Sequence, residues 1–298
     1  MEVRVRVPAK VNLTLNVGAT DNKGYHALGT LFQAVSLFDD LVVRPAEAGV
    51  FRVNFRGEGA SGLPVDDTNL VVRAARLLAK TCGMGNLGVE IRVHKRIPVA
   101  GGMAGGSADA AATLVACNQL WGTGLDAEQL HAVAARLGAD VPFLLHGGTA
   151  VGTGRGEKLR PVPVRGSFQW VLALSHHGLS TPAVFREFDR ISAPQPTDID
   201  SGLLEALADG DARRVGVLLR NDLQRAAFNL QPELADVLAM GREAGAIGAL
   251  VSGSGPTIAF LAGTKAVADA ISDRLVLSSR VRAVRRAHGP VPGAQIVN

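Results

Sequence analysis

Residues 98–109 read Pro98-Val99-Ala100-Gly101-Gly102-Met103-Ala104-Gly105-Gly106-Ser107-Ala108-Asp109, with four glycines inside six positions. Glycine permits positive φ, so successive backbone N–H groups can point into one concavity. The start of a helix adds its own free N–H groups and the positive end of its dipole. Such a loop suits a di- or triphosphate. Ser107 could cap the helix, or place its hydroxyl on a phosphate or on Mg²⁺. No Gly-Lys-Ser/Thr follows the glycines, so this is not a Walker A loop. No acidic residue ends a second strand about 20 residues later, so the dinucleotide fingerprint is absent too. A packing turn without a ligand is the alternative.

Other polar residues stand in apolar surroundings. Lys10 and Asn12 interrupt Pro8-Ala9-Lys10-Val11-Asn12-Leu13, and burying them is costly unless they are paired. The alternative is an outward face of an edge strand. A second glycine-polar cluster, Ser252-Gly253-Ser254-Gly255-Pro256-Thr257, joins two apolar stretches. It reads as another wall of the phosphate site or as an ordinary loop. Lys95, just before the first loop, would add positive charge to it or lie solvated at a strand end. Asp140 sits among Ala, Val, Pro and Phe, as a functional carboxylate or a structural cap. The chain has one tyrosine, Tyr25, beside His26. Residues of adjacent strand positions point to opposite faces, so His176 and His177 do not chelate one metal together.

The elements that must hold these residues alternate irregularly. Val3–Val17, Leu31–Val43, Val50–Arg56 and Val89–Val93 carry strand patterns. Asn69–Cys82 and Ser107–Leu120 carry helix patterns, and Asp126 with Gln129 forms a capping-box signature. Beyond a turn-rich stretch at Gly147–Gly156 come a strand at Trp170–Ser175 and a helix at Thr181–Arg190. Three helical patterns then lie between Ser201 and Gly245. Strands at Gly248–Ser252 and Thr257–Leu261, a helix near Lys265–Leu275 and a strand at Val281–Arg285 follow. The order predicts an α+β fold of two domains, 1–155 and 156–298, with the tail after Ala287 unread.

Across 298 residues, 47% are apolar and 19% charged, enough for a sizeable core. Neither a leader-peptide pattern nor an apolar run long enough to span a bilayer stands out, so a cytoplasmic location is expected. Net charge is only +4. The Arg280–Arg286 run reads as an edge strand with a charged face, the alternative being a nucleic-acid patch. Cys82 and Cys117 lack metal-ligand spacing and read as buried reduced thiols. No nucleic-acid, membrane or obligate protein partner is expected.

Taken together, Pro8–Leu13, the Pro98–Ala108 loop and Ser252–Thr257 resemble the three motifs of the GHMP kinases, in order and spacing, over essentially the whole chain. Gly24-Tyr25-His26 with Leu28, Thr30, Leu31 and Phe32 is similar to a substrate segment of one branch of that family. So are Leu137-Gly138-Ala139-Asp140-Val141-Pro142-Phe143 and Ser180-Thr181-Pro182-Ala183-Val184-Phe185. That branch acts on a cytidylyl methylerythritol in the non-mevalonate isoprenoid pathway. The resemblance implies an interdomain cleft, ATP with Mg²⁺, and phosphorylation of the substrate's 2-hydroxyl.

It further implies that Lys95 and the residues from Pro98 to Ala108 hold ATP, with Ser252, Gly253, Ser254 and Gly255 as the third glycine motif. Asp140 would accept the hydroxyl proton, and Lys10 would pair with it. Tyr25, His26 and Phe185 would take the cytosine, with Phe32 packing below and Asn12 and Thr181 as hydrogen-bond partners. Ser107 is the proposed metal ligand. Homoserine- or mevalonate-type kinases and a non-catalytic nucleotide-binding relative are the rivals.

Overall fold

The computed structural model describes residues 2–22 and 24–297. In chain order the elements are β1 (Val3–Thr20), β2 (His26–Pro45), β3 (Phe51–Gly57), α1 (Leu70–Thr81), β4 (Val89–Lys95), α2 (Gly105–Trp121), α3 (Ala127–Ala135) and α4 (Val141–His146). Next come β5 (Thr149–Thr153), β6 (Lys158–Pro161), β7 (Phe168–Leu174), α5 (Thr181–Ile191), α6 (Ser201–Asp209), α7 (Ala212–Leu218), β8 (Arg220–Asn221) and α8 (Gln224–Leu230). The chain closes with α9 (Glu233–Glu243), β9 (Gly248–Val251), β10 (Ile258–Ala262), α10 (Lys265–Val276), β11 (Ala283–Gly289) and β12 (Gln295–Val297).

The alternating apolar stretches become two sheets. Among the described residues the first has eight strands, with the path β12-β1-β2-β4-β3 and with β5, β6 and β8 attached; the second runs β11-β7-β10-β9. In β1, Arg4 and Arg6 are exposed while Val3, Val5 and Val7 are buried, the period of a half-covered strand. From Val7 to Gly18 the strand is buried on both faces. Helix α2, nearly apolar and alanine-rich, packs on β1 and β2 and buries Ala108, Ala110, Ala111, Ala112 and Leu114.

Boundary residues behave as local chemistry asks. Asn69 caps α1 by accepting from the Val71 amide. Asp126 and Gln129 form the expected reciprocal capping box at α3. The helix expected from Ser107 instead starts at Gly105, behind Ala104 in the left-handed region, so Ser107 lies inside the first turn and does not cap. Between Ser201 and Gly245 four helices form among the described residues rather than three, since the chain breaks at Gln231–Pro232 between α8 and α9. The run after Ala287 is structured. It ends β11, then docks Ala294 on Leu144 and pairs β12 with β1.

The chain does not divide cleanly at 155/156. Strands β6, β8 and β12 all lie beyond that point yet join the first sheet. Alternate residues of β7 and β10 serve two cores: Trp170, Leu172, Ala259 and Leu261 pack with the first sheet, and Val171, Ala173, Ile258 and Phe260 with α9 and α10. A sheet covered on both faces reads as a continuous apolar run, which hides that sharing from the sequence. Trp170 also donates its indole N–H to Gln33 Oε1 at 2.9 Å, a buried bond from β7 to β2. Strand β11 is an edge strand, as expected.

Candidate active site between the two sheets

A β-bulge sets the floor of the cleft. The pairing of β1 with β2 shifts between Asn12 and Thr14: Asn12 lies opposite Phe32 and Leu15 opposite Thr30. Opposed residues share a face, so Lys10, Asn12 and Leu15 are brought together with Leu28, Thr30 and Phe32. Bulges commonly re-aim side chains beside a site. Phe32 stacks on Phe143, ring centres 4.9 Å apart, and forms part of the floor.

The glycine loop forms one wall. Ala100 (φ 52°) and Ala104 (φ 59°) are both left-handed without being glycine. Such residues are strained and cluster at functional sites. Pro98, Ala100, Gly101, Gly102, Ala104, Gly105, Gly106 and Ser107 line a cavity of 400 Å³. The amides at the start of α2 have no intrahelical acceptor, so they are available to an anion. Three residues of the expected loop, Pro98 to Ala108, are elsewhere. Met103 and Ala108 are buried in the core, and Val99 is exposed outside the cavity.

The third glycine cluster closes the opposite wall with Gly253 and Ser254. The two loops interlock. Ser252 Oγ donates to the Gly102 carbonyl at 3.1 Å, and a Cβ on Gly102 would lie 2.1 Å from the Ser252 carbonyl oxygen. Asn221, which the sequence reading missed, donates to the carbonyls of Val251 and Gly253, each at 2.7 Å. Its signal was a buried amide two residues before the turn into α8, too common a pattern to single out.

Lys10 and Asp140 line the same cavity. Burial lowers the Lys10 pKa below lysine's ordinary value, and the Asp140 charge opposes that shift. Among the described residues they make no direct ion pair; the Lys10 ammonium donates to Asn12 Oδ1 at 2.6 Å. Asp140 precedes α4 without capping it through its side chain, so its carboxylate is not spent on the helix. Asn12 also donates one N–H to Thr30 Oγ1 at 2.8 Å, so Lys10 and Thr30 orient its amide at the cavity wall.

Lys95 departs from its expected role. Its side chain is 1% exposed and bridges Asp39 and Asp109 beneath the loop, with Asp109 Oδ2 at 2.6 Å and the Gly105 carbonyl at 3.3 Å. Burial would lower its pKa, but Asp109 and Asp39 outweigh that and raise it. Its donors go to Asp39, Asp109 and the Gly105 carbonyl, and Lys95 is not part of the cavity lining. Asp39 also accepts the amides of Arg96 and Ile97, at 2.5 and 2.9 Å, so the cluster braces the strand leading into the loop.

A second cavity of 940 Å³ adjoins the first and shares Leu28, Ala139, Arg155, Thr181 and Phe185 with it. Tyr25 and His26 lie there. His26 and Phe185 are stacked at 5.2 Å, and His26 Nδ1 donates to the Gly18 carbonyl at 2.8 Å. Tyr25 is 55% exposed, and the guanidinium of Arg155 sits 3.7 Å from its ring centre. Arg155, in the turn of residues 154–157 between β5 and β6, is a second group the sequence reading missed. Thr181 Oγ1 lies 2.8 Å from Ser254 Oγ, joining α5 to the third glycine cluster. A separate groove of 720 Å³ on the outer sheet face is lined by arginines, most of them paired with Glu2, Asp40 or Glu90. No helix among the described residues is long and apolar enough to cross a membrane.

The profile of the GHMP kinases N terminal domain matches residues 69–148, and that of the GHMP kinases C terminal domain matches residues 203–278. A 4-diphosphocytidyl-2-C-methyl-D-erythritol kinase from Thermobifida fusca is 54% identical over 303 residues, covering 99% of this chain and 98% of the relative. The enzyme of that name from Streptomyces coelicolor is 52% identical, with both chains covered in full. A crystal structure of a 4-(cytidine 5'-diphospho)-2C-methyl-D-erythritol kinase superposes with TM-score 0.77 at 36% identity, covering 97% of this chain and 98% of that one. A homoserine kinase from Cytophaga hutchinsonii shares the fold at TM-score 0.79 with 22% identity, covering 99% and 97%.

Proposed function

This chain belongs to the GHMP kinase family, and from that premise we propose that it transfers the γ-phosphoryl group of ATP to the 2-hydroxyl of 4-diphosphocytidyl-2-C-methyl-D-erythritol, giving the 2-phosphate and ADP. This is a step of the non-mevalonate route to isoprenoid precursors. The observation that carries the reading is one cavity in which the glycine loop, the third glycine cluster, Lys10 and Asp140 converge, opening into a second that holds Tyr25, His26 and Phe185.

Phosphoryl transfer needs positioning and charge neutralisation more than covalent chemistry. The amides of Gly105, Gly106 and Ser107 bind the phosphate tail at the positive end of α2. Asp140 accepts the proton of the attacking hydroxyl as that oxygen grows more acidic along the reaction. Lys10 stabilises the negative charge gathering between nucleophile and phosphorus. Tyr25 and the His26–Phe185 pair orient the cytosine, so the far end of the substrate presents its hydroxyl to Asp140.

The donor set fits a hard divalent cation such as Mg²⁺. Ser107 offers a hydroxyl oxygen on the phosphate wall, and no cluster of three acidic, histidine or cysteine ligands exists among the described residues. Such a site suits an ion held mainly by nucleotide phosphates and water, with Ser107 completing it. When bound, the ion neutralises phosphate charge.

The test is ADP release in a coupled assay with the cytidylyl substrate, homoserine and mevalonate as acceptors, with and without Mg²⁺. ADP formation confined to the cytidylyl substrate is expected. Turnover of homoserine or mevalonate instead would overturn the reading.

A further inference from the structure

A buried chain of hydrogen bonds runs beneath the reacting groups. Lys10 Nζ is 2.6 Å from Asn12 Oδ1, Asn12 Nδ2 is 2.8 Å from Thr30 Oγ1, and Thr30 Oγ1 is 2.9 Å from the Thr14 carbonyl oxygen. Thr30 is fully buried and Asn12 is 2% exposed, so these bonds are made out of bulk solvent.

The directions of these bonds follow from their chemistry. A carbonyl only accepts, so the single hydroxyl hydrogen of Thr30 goes to Thr14. Thr30 Oγ1 can then only accept from Asn12, which requires Nδ2 there. The remaining amide atom, Oδ1, must face Lys10, as an ammonium requires. The two ends of an asparagine amide are ordinarily hard to tell apart, and here one arrangement alone satisfies all three contacts. The bulge at Asn12/Thr14 makes the chain possible, because it places Thr30 beside both the Asn12 amide and the Thr14 carbonyl.

We propose that Thr30 is a positioning residue for phosphoryl transfer, its hydroxyl holding the Asn12 amide so that Oδ1 faces the Lys10 ammonium. The proposal rests on the reading of Lys10 as the charge-stabilising group. Without the hydroxyl, Asn12 can turn its NH₂ toward Lys10, setting donor against donor. The ammonium then depends on Asp140, the charged group that faces it across the cavity, with the Phe32 ring 5.7 Å away and the Gly253 backbone on its other sides.

The experiment compares Thr30→Val, Thr30→Ser and Lys10→Ala by steady-state kinetics with ATP and the cytidylyl acceptor, with kcat followed over pH. Thr30→Val is expected to lower kcat by about ten- to a hundredfold, the scale of one charge-assisted bond. KM for ATP should stay within about twofold, since the glycine loop is untouched. The alkaline fall of kcat should move to lower pH, because the ammonium has lost an acceptor. Thr30→Ser, which keeps the hydroxyl, should restore rate and profile. If Thr30→Val does not fold, Thr30→Ser against Thr30→Ala reads the same contrast, and equal kcat in that pair overturns the proposal. Parental kcat and pH profile in Thr30→Val, with Lys10→Ala inactive, overturns it while leaving the role of Lys10 standing. Parental turnover in Lys10→Ala removes the reading of Lys10 and the proposal with it.

Discussion

Lys95 Nζ lies 2.6 Å from Asp109 Oδ2 beneath the first turns of α2, both side chains almost fully buried. The lysine that precedes the glycine loop thus braces the loop from below, and its charge is met by Asp109 and Asp39. Replacing it with an apolar residue strands two carboxylates in the core. Lys95→Met is expected to lower unfolding stability by about 3–5 kcal/mol, read by urea or thermal denaturation. A variant of parental stability with only a raised KM for ATP would show instead that Lys95 touches the phosphates.

Gly102 has φ +72°, and a Cβ there would meet the Ser252 carbonyl oxygen. Gly102→Ala is expected to separate the two glycine loops and cost about 1–3 kcal/mol from the backbone conformation alone. ATP affinity measured by calorimetry should fall with it. Unchanged stability and affinity would mean the interlock is unimportant.

Asp140 is free of capping duty. Asp140→Asn keeps its shape but cannot take a proton. Turnover should fall by about a hundredfold or more, the scale of general-base assistance, with ATP binding retained. Parental turnover would rule out Asp140 as the base.

Tyr25 is exposed at the mouth of the larger cavity, under the Arg155 guanidinium. Tyr25→Ala should weaken the cytidylyl substrate by about 1–3 kcal/mol, the worth of stacking one base, while KM for ATP changes little. Equal effects on both substrates would count against a cytosine at this ring.

Burial holds the Lys10 ammonium below the ordinary lysine pKa of 10.5, since desolvation outweighs the help from Asp140. The protonated form is the active one in this mechanism. A rate–pH profile should therefore fall on the alkaline side before 10.5, and Lys10→Arg, always charged, should lose that limb. The sign for stability is opposite. A lysine whose pKa is lowered by folding binds fewer protons than the unfolded chain between the two values, so its destabilising effect shrinks as pH rises through that window.

Local rules made much of this protein readable in one dimension. Apolar periods of two and near 3.6 marked most strands and helices, and the Asp126–Gln129 box needs only neighbours three residues apart. The glycine loop announced itself because backbone sterics act within a few residues, and positive φ is a local property. Tertiary structure decided where charge and amide groups point. Lys95 and Lys10 are both lysines in strands, yet one is sealed against Asp39 and Asp109 and the other faces a cavity. Asn12 is oriented by Thr30, eighteen residues away, through a bulge that no local pattern reveals. The shared core and the return of β12 to β1 likewise rest on contacts between distant parts of the chain. Desolvation and hydrogen-bond partners come from whatever the fold brings near, whereas propensity comes from adjacent residues, and that difference in range separates what could be read from what had to be seen.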